Sequence, residues 1–312
     1  MQKRRLGTAG PEVSLVGLGA NNFGGRSDFE ASRRVVDRAL ERGITLIDTA
    51  DSYGNRGGSE EFLGRILGPR RKDIVLATKF GLPMDDAGTK KGASRRYAMQ
   101  AVEASLRRLK TDWIDLYQVH FPDPATPIEE TLRALDDLIK SGKVRFIGCS
   151  NFSATQLEKA LATSKQLGLA SFITCQDEYS LLERDVEKDL LATMQRHGLN
   201  LLPYFPLASG LLTGKYRRNA PLPPGSRLTK QAGRANDYLN ARNFSIVEAL
   251  SKFAAECGHT ILELAMSWLV SQPYVSSVIA GASRPEQVDA NIAATGWALS
   301  AEDIAEIDRI TL

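Results

Sequence analysis

Trp113-Ile114-Asp115-Leu116-Tyr117-Gln118-Val119-His120 is followed by Pro127-Ile128-Glu129-Glu130-Thr131-Leu132-Arg133-Ala134-Leu135-Asp136-Asp137-Leu138-Ile139-Lys140-Ser141-Gly142, and then by Val144-Arg145-Phe146-Ile147-Gly148-Cys149-Ser150. The outer two runs are short, mostly apolar and without strict polar alternation, as strands of a helix-covered parallel sheet must be. The middle run has helical period. Proline stands in its first turn, Glu129 and Glu130 lie where a helix N-terminus is positive, and Gly142 follows its end. Such a helix carries the chain from one strand to a parallel neighbour, so the three runs form a strand-helix-strand unit.

The pattern extends both ways. Further strand candidates occupy residues 13–20, 44–48, 74–80, 172–176, 201–206 and 277–281, which with 113–120 and 144–150 makes eight. An amphipathic stretch at 31–42 opens after Asp28, a good N-cap, and stops at Gly43. Ahead of the first strand, residues 4–13 read as a small hairpin turning at Gly10-Pro11 and able to plug a barrel floor. Ser300, with Asp303 three residues on, opens a last helix in the manner of a capping box. The pattern predicts an α/β fold, a (β/α)8 TIM barrel with an N-terminal β-hairpin and a C-terminal helix. One domain over residues 1–312 suffices, since such barrels commonly run to about 250 residues and beyond. A doubly wound sheet is the main alternative, but its dinucleotide fingerprint is incomplete. In Gly17-Leu18-Gly19-Ala20-Asn21-Asn22, asparagine stands where the third glycine is needed for close helix packing.

Composition narrows the function classes. Forty basic against 37 acidic residues give a net charge of +3, so no global field recruits nucleic acid or an anionic membrane. Three cysteines, Cys149, Cys175 and Cys257, form no CxxC pair and leave one unmatched, which reads as reduced structural thiols. The charged N-terminus lacks an apolar signal core, and no apolar run reaches about 18 residues, so a soluble, cytoplasmic protein is expected. No HExxH or dense ligand cluster calls for a metal.

In a β/α barrel the reactive face is the carboxyl end of the strands. There the second strand ends in Asp48 with Tyr53 five residues on, the third ends near Lys79, and the fourth in His120. The words around them, Ile47-Asp48-Thr49-Ala50-Asp51-Ser52-Tyr53-Gly54, Ala77-Thr78-Lys79-Phe80 and Asp115-Leu116-Tyr117-Gln118-Val119-His120, resemble the active-site signature of the aldo-keto reductase family. The likeness spans nearly the whole chain.

The resemblance implies reduction of an aldehyde or ketone by a nicotinamide cofactor, NADPH with NADH as an alternative. Catalytic roles fall on Asp48, Tyr53, Lys79 and His120. Tyr53 becomes the general acid, with a nearby Lys79 ammonium expected to lower its pKa, Asp48 to hold Lys79, and His120 to orient the carbonyl. Ser150, Asn151 and Gln176 hold the carboxamide, and Tyr204 stacks on the ring. The segment carrying Pro206, Leu207, Gly210 and Lys215 folds over the pyrophosphate. The turn carrying Gly281, Ser283, Arg284, Gln287 and Asn291 takes the adenosine 2′-phosphate end. The loop at 209–243 supplies seven basic residues, Lys215, Arg217, Arg218, Arg227, Lys230, Arg234 and Arg242, against one acid, Asp237.

Departures from the family pattern include Asp177 where many members show asparagine, Ala280 where proline is frequent, and no lysine at Gly281 or Ala282. Rival readings are a Schiff-base aldolase using Lys79 and, since some members resemble potassium-channel β-subunits, a nucleotide-binding accessory subunit of a protein partner. The expected partner is otherwise a small carbonyl substrate, with the chain a monomer or a homo-oligomer.

Overall fold

The computed structural model of the protein describes residues 1–230 and 232–312; the side chains of Lys230 and Arg234, two of the basic residues noted above, lie outside that description. Eight parallel strands form one sheet: β1 (Val16–Gly19), β2 (Leu46–Asp48), β3 (Val75–Phe80), β4 (Ile114–Val119), β5 (Val144–Ser150), β6 (Phe172–Gln176), β7 (Asn200–Leu201) and β8 (Val278–Gly281). Their spatial order is β8-β1-β2-β3-β4-β5-β6-β7. The two ends of that order meet. Leu201 N–H donates to Tyr274 O at 2.8 Å, Ser276 N–H to Leu201 O at 3.1 Å, and Ile279 N–H to Pro203 O at 3.0 Å. The result is the expected (β/α)8 barrel.

Helices α1 (Phe29–Glu41), α2 (Tyr53–Ile66), α3 (Arg95–Leu109), α4 (Ile128–Lys140), α5 (Ala154–Leu167) and α6 (Leu190–Arg196) follow the first six strands. A long connection after β7 holds α7 (Arg227–Lys230), α8 (Ala232–Tyr238), α9 (Ala241–Glu256) and α10 (Ile261–Ser271). α11 (Pro285–Ala293) follows β8, and α12 (Ala301–Thr311) is the C-terminal helix. Asp28 caps α1 by accepting the Ala31 N–H at 2.8 Å, and Ser300 and Asp303 cap α12 reciprocally.

Four of the expected strands are shortened by one or two residues, and two differ by more. Residues 13 and 14 belong to the hairpin, which pairs Lys3–Arg5 with Glu12–Ser14, so β1 begins later. The run at 201–206 contributes only its start to β7, because Pro203 and Pro206 have no N–H to give a ladder. The remainder still runs beside β6, with Leu202 N–H on Cys175 O at 2.8 Å and Tyr204 N–H on Asp177 O at 3.0 Å.

The barrel interior is layered. At the floor, Leu6 and Val13 of the hairpin pack with Leu46, Ala77, Leu116, Leu202 and Ile279, all buried. Each fully buried aliphatic of this kind is worth about 1.5–3 kcal/mol. Arg4 fastens the hairpin by donating to the carbonyls of Val270, Gln272 and Val275 at 2.6–2.7 Å, at the end of α10. Successive strand residues point to opposite faces, so two positions above Leu46, Ala77 and Leu116 the interior holds Asp48, Lys79 and Gln118. An apolar floor thus rises to a polar top, while Ile47, Leu76, Tyr117 and Val119 face the helices.

Cys149 and Cys175 are buried neighbours on β5 and β6, with sulfurs 3.5 Å apart. Cys257 is exposed at the end of α9, so two of the three cysteines are interior thiols. Among the described residues no helix is long and apolar enough to cross a membrane.

Candidate active site

β2 and β3 place Asp48 and Lys79 side by side in the polar layer. The Lys79 ammonium donates to Asp48 Oδ1 at 2.6 Å and to the Thr49 carbonyl at 2.9 Å, with side-chain exposures of 1% for Lys79 and 4% for Asp48. The second carboxylate oxygen accepts from Gln176 Nε2 at 2.9 Å and Gln118 Nε2 at 3.3 Å. A buried charge pair persists only when its remaining lone pairs are satisfied in this way. Burial alone would lower the Lys79 pKa, but the charge of Asp48 and the interactions with Tyr53 outweigh it and hold the pKa above the usual lysine value.

Tyr53 sits at the mouth of this layer, partly exposed, with the Lys79 ammonium 5.1 Å from its ring centroid. The chain after it makes a left-handed turn, with φ of +68° at Gly54, +59° at Asn55, +68° at Arg56 and +123° at Gly57. Gly54 is required there, since a Cβ would lie 2.4 Å from Phe23 O and 2.6 Å from Ser59 N. That turn, not a regular helix, aims the phenol. The sequence reading expected Lys79 to lower the Tyr53 pKa. Burial is the larger influence and raises it; Lys79 pulls down against burial and the charge of Asp48, and the net direction is upward.

His120 stands edge-on to Tyr53, ring centroids 5.7 Å apart, and its Nδ1 is buried without a partner. Burial, aided by the Lys79 charge, lowers its pKa to about 3, so the ring is neutral near pH 7. The exposed Phe121 stacks against its outer face at 5.5 Å.

From β5, β6 and the segment beyond β7 comes a connected set of amides and hydroxyls. Ser150 Oγ donates to Gln176 O at 2.7 Å, and Asn151 Nδ2 donates to Ser150 Oγ at 2.9 Å and to His120 O at 3.0 Å. Tyr204 OH donates to Asn151 Oδ1 at 2.8 Å. Asn151 itself is left-handed, φ +62°, a conformation asparagine tolerates better than most residues. The four sequence-predicted residues thus meet, and they connect to His120 and, through Gln176, to Asp48.

Beyond Tyr204 the backbone is strained. Phe205, Ala208 and Ser209 have φ of +50°, +45° and +56°, and Gly210 follows at +96°. Strained runs of this kind gather at ligand clamps. Pro206 is buried and Leu207 partly so, and the Lys215 ammonium lies over Gly210, where an added Cβ would be 2.7 Å from Nζ. Arg227, on α7, lies over the Phe205 ring at 4.6 Å, and its charge reaches Tyr53. After β8, Ser283 N–H and Oγ both donate to Gln287 Oε1, at 2.7 and 3.1 Å. Gly281, Ser283 and Arg284 are exposed at the N-terminus of α11, and Asn291 is buried on it.

Residues 15–311 match the Aldo/keto reductase family. The chain belongs to that family. It is 38% identical to a probable voltage-gated potassium channel subunit beta of Arabidopsis thaliana, over 94% of this chain and 91% of that one. It is 37% identical to the aldo-keto reductase YhdN of Bacillus subtilis, over 99% and 93%. To L-glyceraldehyde 3-phosphate reductase of Escherichia coli it is 33% identical, over 99% and 92%.

This aldo/keto reductase is therefore an NAD(P)H-dependent oxidoreductase, and its general chemistry is carbonyl reduction. The residues present fit such a cofactor. An anionic tail suits the left-handed turn at 208–210 under Lys215 and the exposed Arg284 at a helix N-terminus. The buried Ser209 Oγ has no protein partner there. Sequence reasoning missed Gln118, whose only signal was its place two residues before His120 on the inward face of β4. It also missed Asp51, whose carboxyl is 1% exposed with neither oxygen partnered. Burial and nearby Glu60 push that carboxyl well above its usual pKa.

Proposed function

We propose that the protein reduces an aldehyde or ketone to the alcohol with NADPH, Tyr53 supplying the proton. The observation that carries this reading is the Asp48–Lys79 pair, 2.6 Å apart and buried beneath Tyr53. NADPH, when bound, would supply the hydride for the carbonyl carbon. The protein's part is to protonate the oxygen, and a phenol whose pKa is held up by burial stays protonated near pH 7 until the alkoxide develops. The phenolate left behind faces the Lys79 ammonium, which Asp48 keeps in place and charged. His120, neutral, hydrogen-bonds the carbonyl oxygen and fixes its direction; with a pKa of about 3 it is not the principal acid.

In this reading Ser150, Asn151 and Gln176 hold the carboxamide, and Tyr204 borders the ring. Pro206, Leu207, Gly210 and Lys215 cover the pyrophosphate, and Gly281, Ser283, Arg284, Gln287 and Asn291 take the adenosine end. Arg284 and Ser283 favour NADPH over NADH. The whole chain acts as one barrel domain on a small carbonyl substrate. A Schiff-base aldolase is disfavoured, because its lysine must be a free amine and Lys79 is a paired ammonium.

The likeness to the Arabidopsis channel subunit favours a second reading, a nucleotide-binding accessory subunit of a protein partner. Fluorescence titration with NADPH and NADH, followed by cofactor oxidation with a panel of small aldehydes, separates the two. Tight NADPH binding with sustained turnover supports the reductase. Binding with negligible turnover supports the accessory role, and failure to bind either nucleotide refutes both.

A further inference from the structure

Asp177 follows Gln176 and lies directly behind the carboxamide-binding residues. It is 7% exposed. Its Oδ1 accepts the Asn151 N–H at 3.1 Å, clamping the left-handed peptide of that residue, while Oδ2 is buried with no partner. Its carbonyl accepts the Tyr204 N–H at 3.0 Å, so it links the two residues that meet at the Tyr204–Asn151 bond. A neutral amide would satisfy the Asn151 N–H equally well. The carboxylate adds a charge that no described residue offsets with a cation.

Among the described residues, the groups packed around it carry no positive charge. On β5 and β6 these are the Cys149 and Cys175 thiols, with Ser150 and Asn151 beyond. From the segment after β7 comes Tyr204, and next in sequence is Glu178, which accepts a hydrogen bond from Tyr238 of α8. His120, joined through the Asn151 side chain, is neutral, and the Lys79 charge is held by Asp48.

We propose that Asp177 sets the redox-state preference of the nicotinamide site: its buried carboxylate favours the oxidised cofactor, whose ring is cationic, over the reduced cofactor, whose ring is neutral. The inference rests on the cofactor reading above. A charge separated from the ring by one residue, in a site of effective dielectric about 20, changes the affinity ratio on the order of tenfold. Burial, opposed by the Asn151 N–H, raises the Asp177 pKa to about 7. The preference is therefore weak near pH 6, where the carboxyl is mostly neutral, and full near pH 8.

The test is binding, not turnover. Dissociation constants for NADP+ and NADPH, or NAD+ and NADH if those bind, are measured at pH 6, 7 and 8 in wild type and Asp177→Asn. The expected result is a reduced-to-oxidised ratio that rises on the order of tenfold with pH in wild type and stays flat in Asp177→Asn. The 2′-phosphate is common to both redox forms and cancels in the ratio. A second measurement needs only wild type: calorimetry in buffers of different ionisation enthalpy should show release of up to about half a proton at pH 7 on binding the oxidised form. Binding of the reduced form should lack that half proton, any release from the 2′-phosphate being common to both forms. A pH-independent ratio shared by both proteins, or equal weakening of both forms in Asp177→Asn, overturns the proposal and leaves Asp177 a structural clamp. Failure of either redox form to bind wild type at all refutes the cofactor reading instead.

Discussion

Asp48→Asn removes the negative partner of an ammonium that is 1% exposed and leaves it the neutral Thr49 carbonyl, the Tyr53 hydroxyl and an amide oxygen. Breaking a buried ion pair from one side costs about 3–5 kcal/mol, because the surviving charge has no water to return to. At about 1.4 kcal/mol per tenfold, that lowers the folding equilibrium constant roughly a hundred- to several-thousand-fold. Lys79→Met should fall at the lower end of the range. Asp48 would keep the Gln176 donor at 2.9 Å and the Gln118 donor at 3.3 Å, which soften the loss of the cation. The double variant buries neither charge, so its cost should be below the sum of the singles by about 2–3 kcal/mol, the upper part of the range for residues in direct contact. Urea unfolding of the four proteins, followed by circular dichroism and tryptophan fluorescence, measures this coupling. Single costs under about 1 kcal/mol that simply add would mean that Asp48 and Lys79 do not form a buried, coupled pair.

Four further outcomes follow from the same geometry. His120 has a folded pKa of about 3 against an ordinary value of 6.5, so below pH 6.5 the unfolded chain takes up a proton that the folded one refuses. Stability from this group falls with acid by about 1.4 kcal/mol per pH unit, a slope that His120→Gln should remove in unfolding measured from pH 7 to 5. Asp177 has the opposite sign: raised to about 7 from 3.8, it holds a proton in the folded state and costs stability as pH rises through that window. Asp177→Asn should therefore stabilise the protein at pH 8 by on the order of 4 kcal/mol, and should steepen the acid-side fall that the two groups otherwise cancel. Arg4→Met leaves three backbone carbonyls at the end of α10 without their cation and should cost about 3 kcal/mol in unfolding free energy, with the hairpin the first segment to lose hydrogen-exchange protection. Gly210→Val forces a β-branched residue to φ +96° against the Lys215 ammonium, and should weaken nucleotide binding on the order of tenfold or more in a fluorescence titration.

Much of the barrel was legible because its strands are short apolar runs with clear stops. β5 and β6 fall at the sequence-read boundaries, and Asp28 and Ser300 cap the helices they announce. β7 was overextended because apolar character signals burial, whereas pairing also needs N–H groups that Pro203 and Pro206 lack. Strand ends marked Asp48, Lys79 and His120 as candidates, the family resemblance singled them out together with Tyr53, and the structure brings the four side by side. What one-dimensional reading could not supply was the balance of opposing effects at each. Tyr53 was expected to have a lowered pKa from one nearby cation, but its burial is a property of the whole barrel mouth and wins. Gln118 and the unpaired oxygen of Asp177 were invisible for a similar reason. Their significance lies in which strand neighbours face them, across 70 residues in the case of Gln118 and Asp48.

The proposed carbonyl reduction depends on proton donation by Tyr53. The most direct test mixes wild type or Tyr53→Phe, each preloaded with NADPH, with a saturating small aldehyde and follows a single turnover of bound cofactor. The prediction is a fall of about 10²–10⁴-fold in the rate of NADPH oxidation, the usual contribution of a positioned acid, with the NADPH dissociation constant essentially unchanged. Equal rates in the two proteins would show that Tyr53 is not the proton donor.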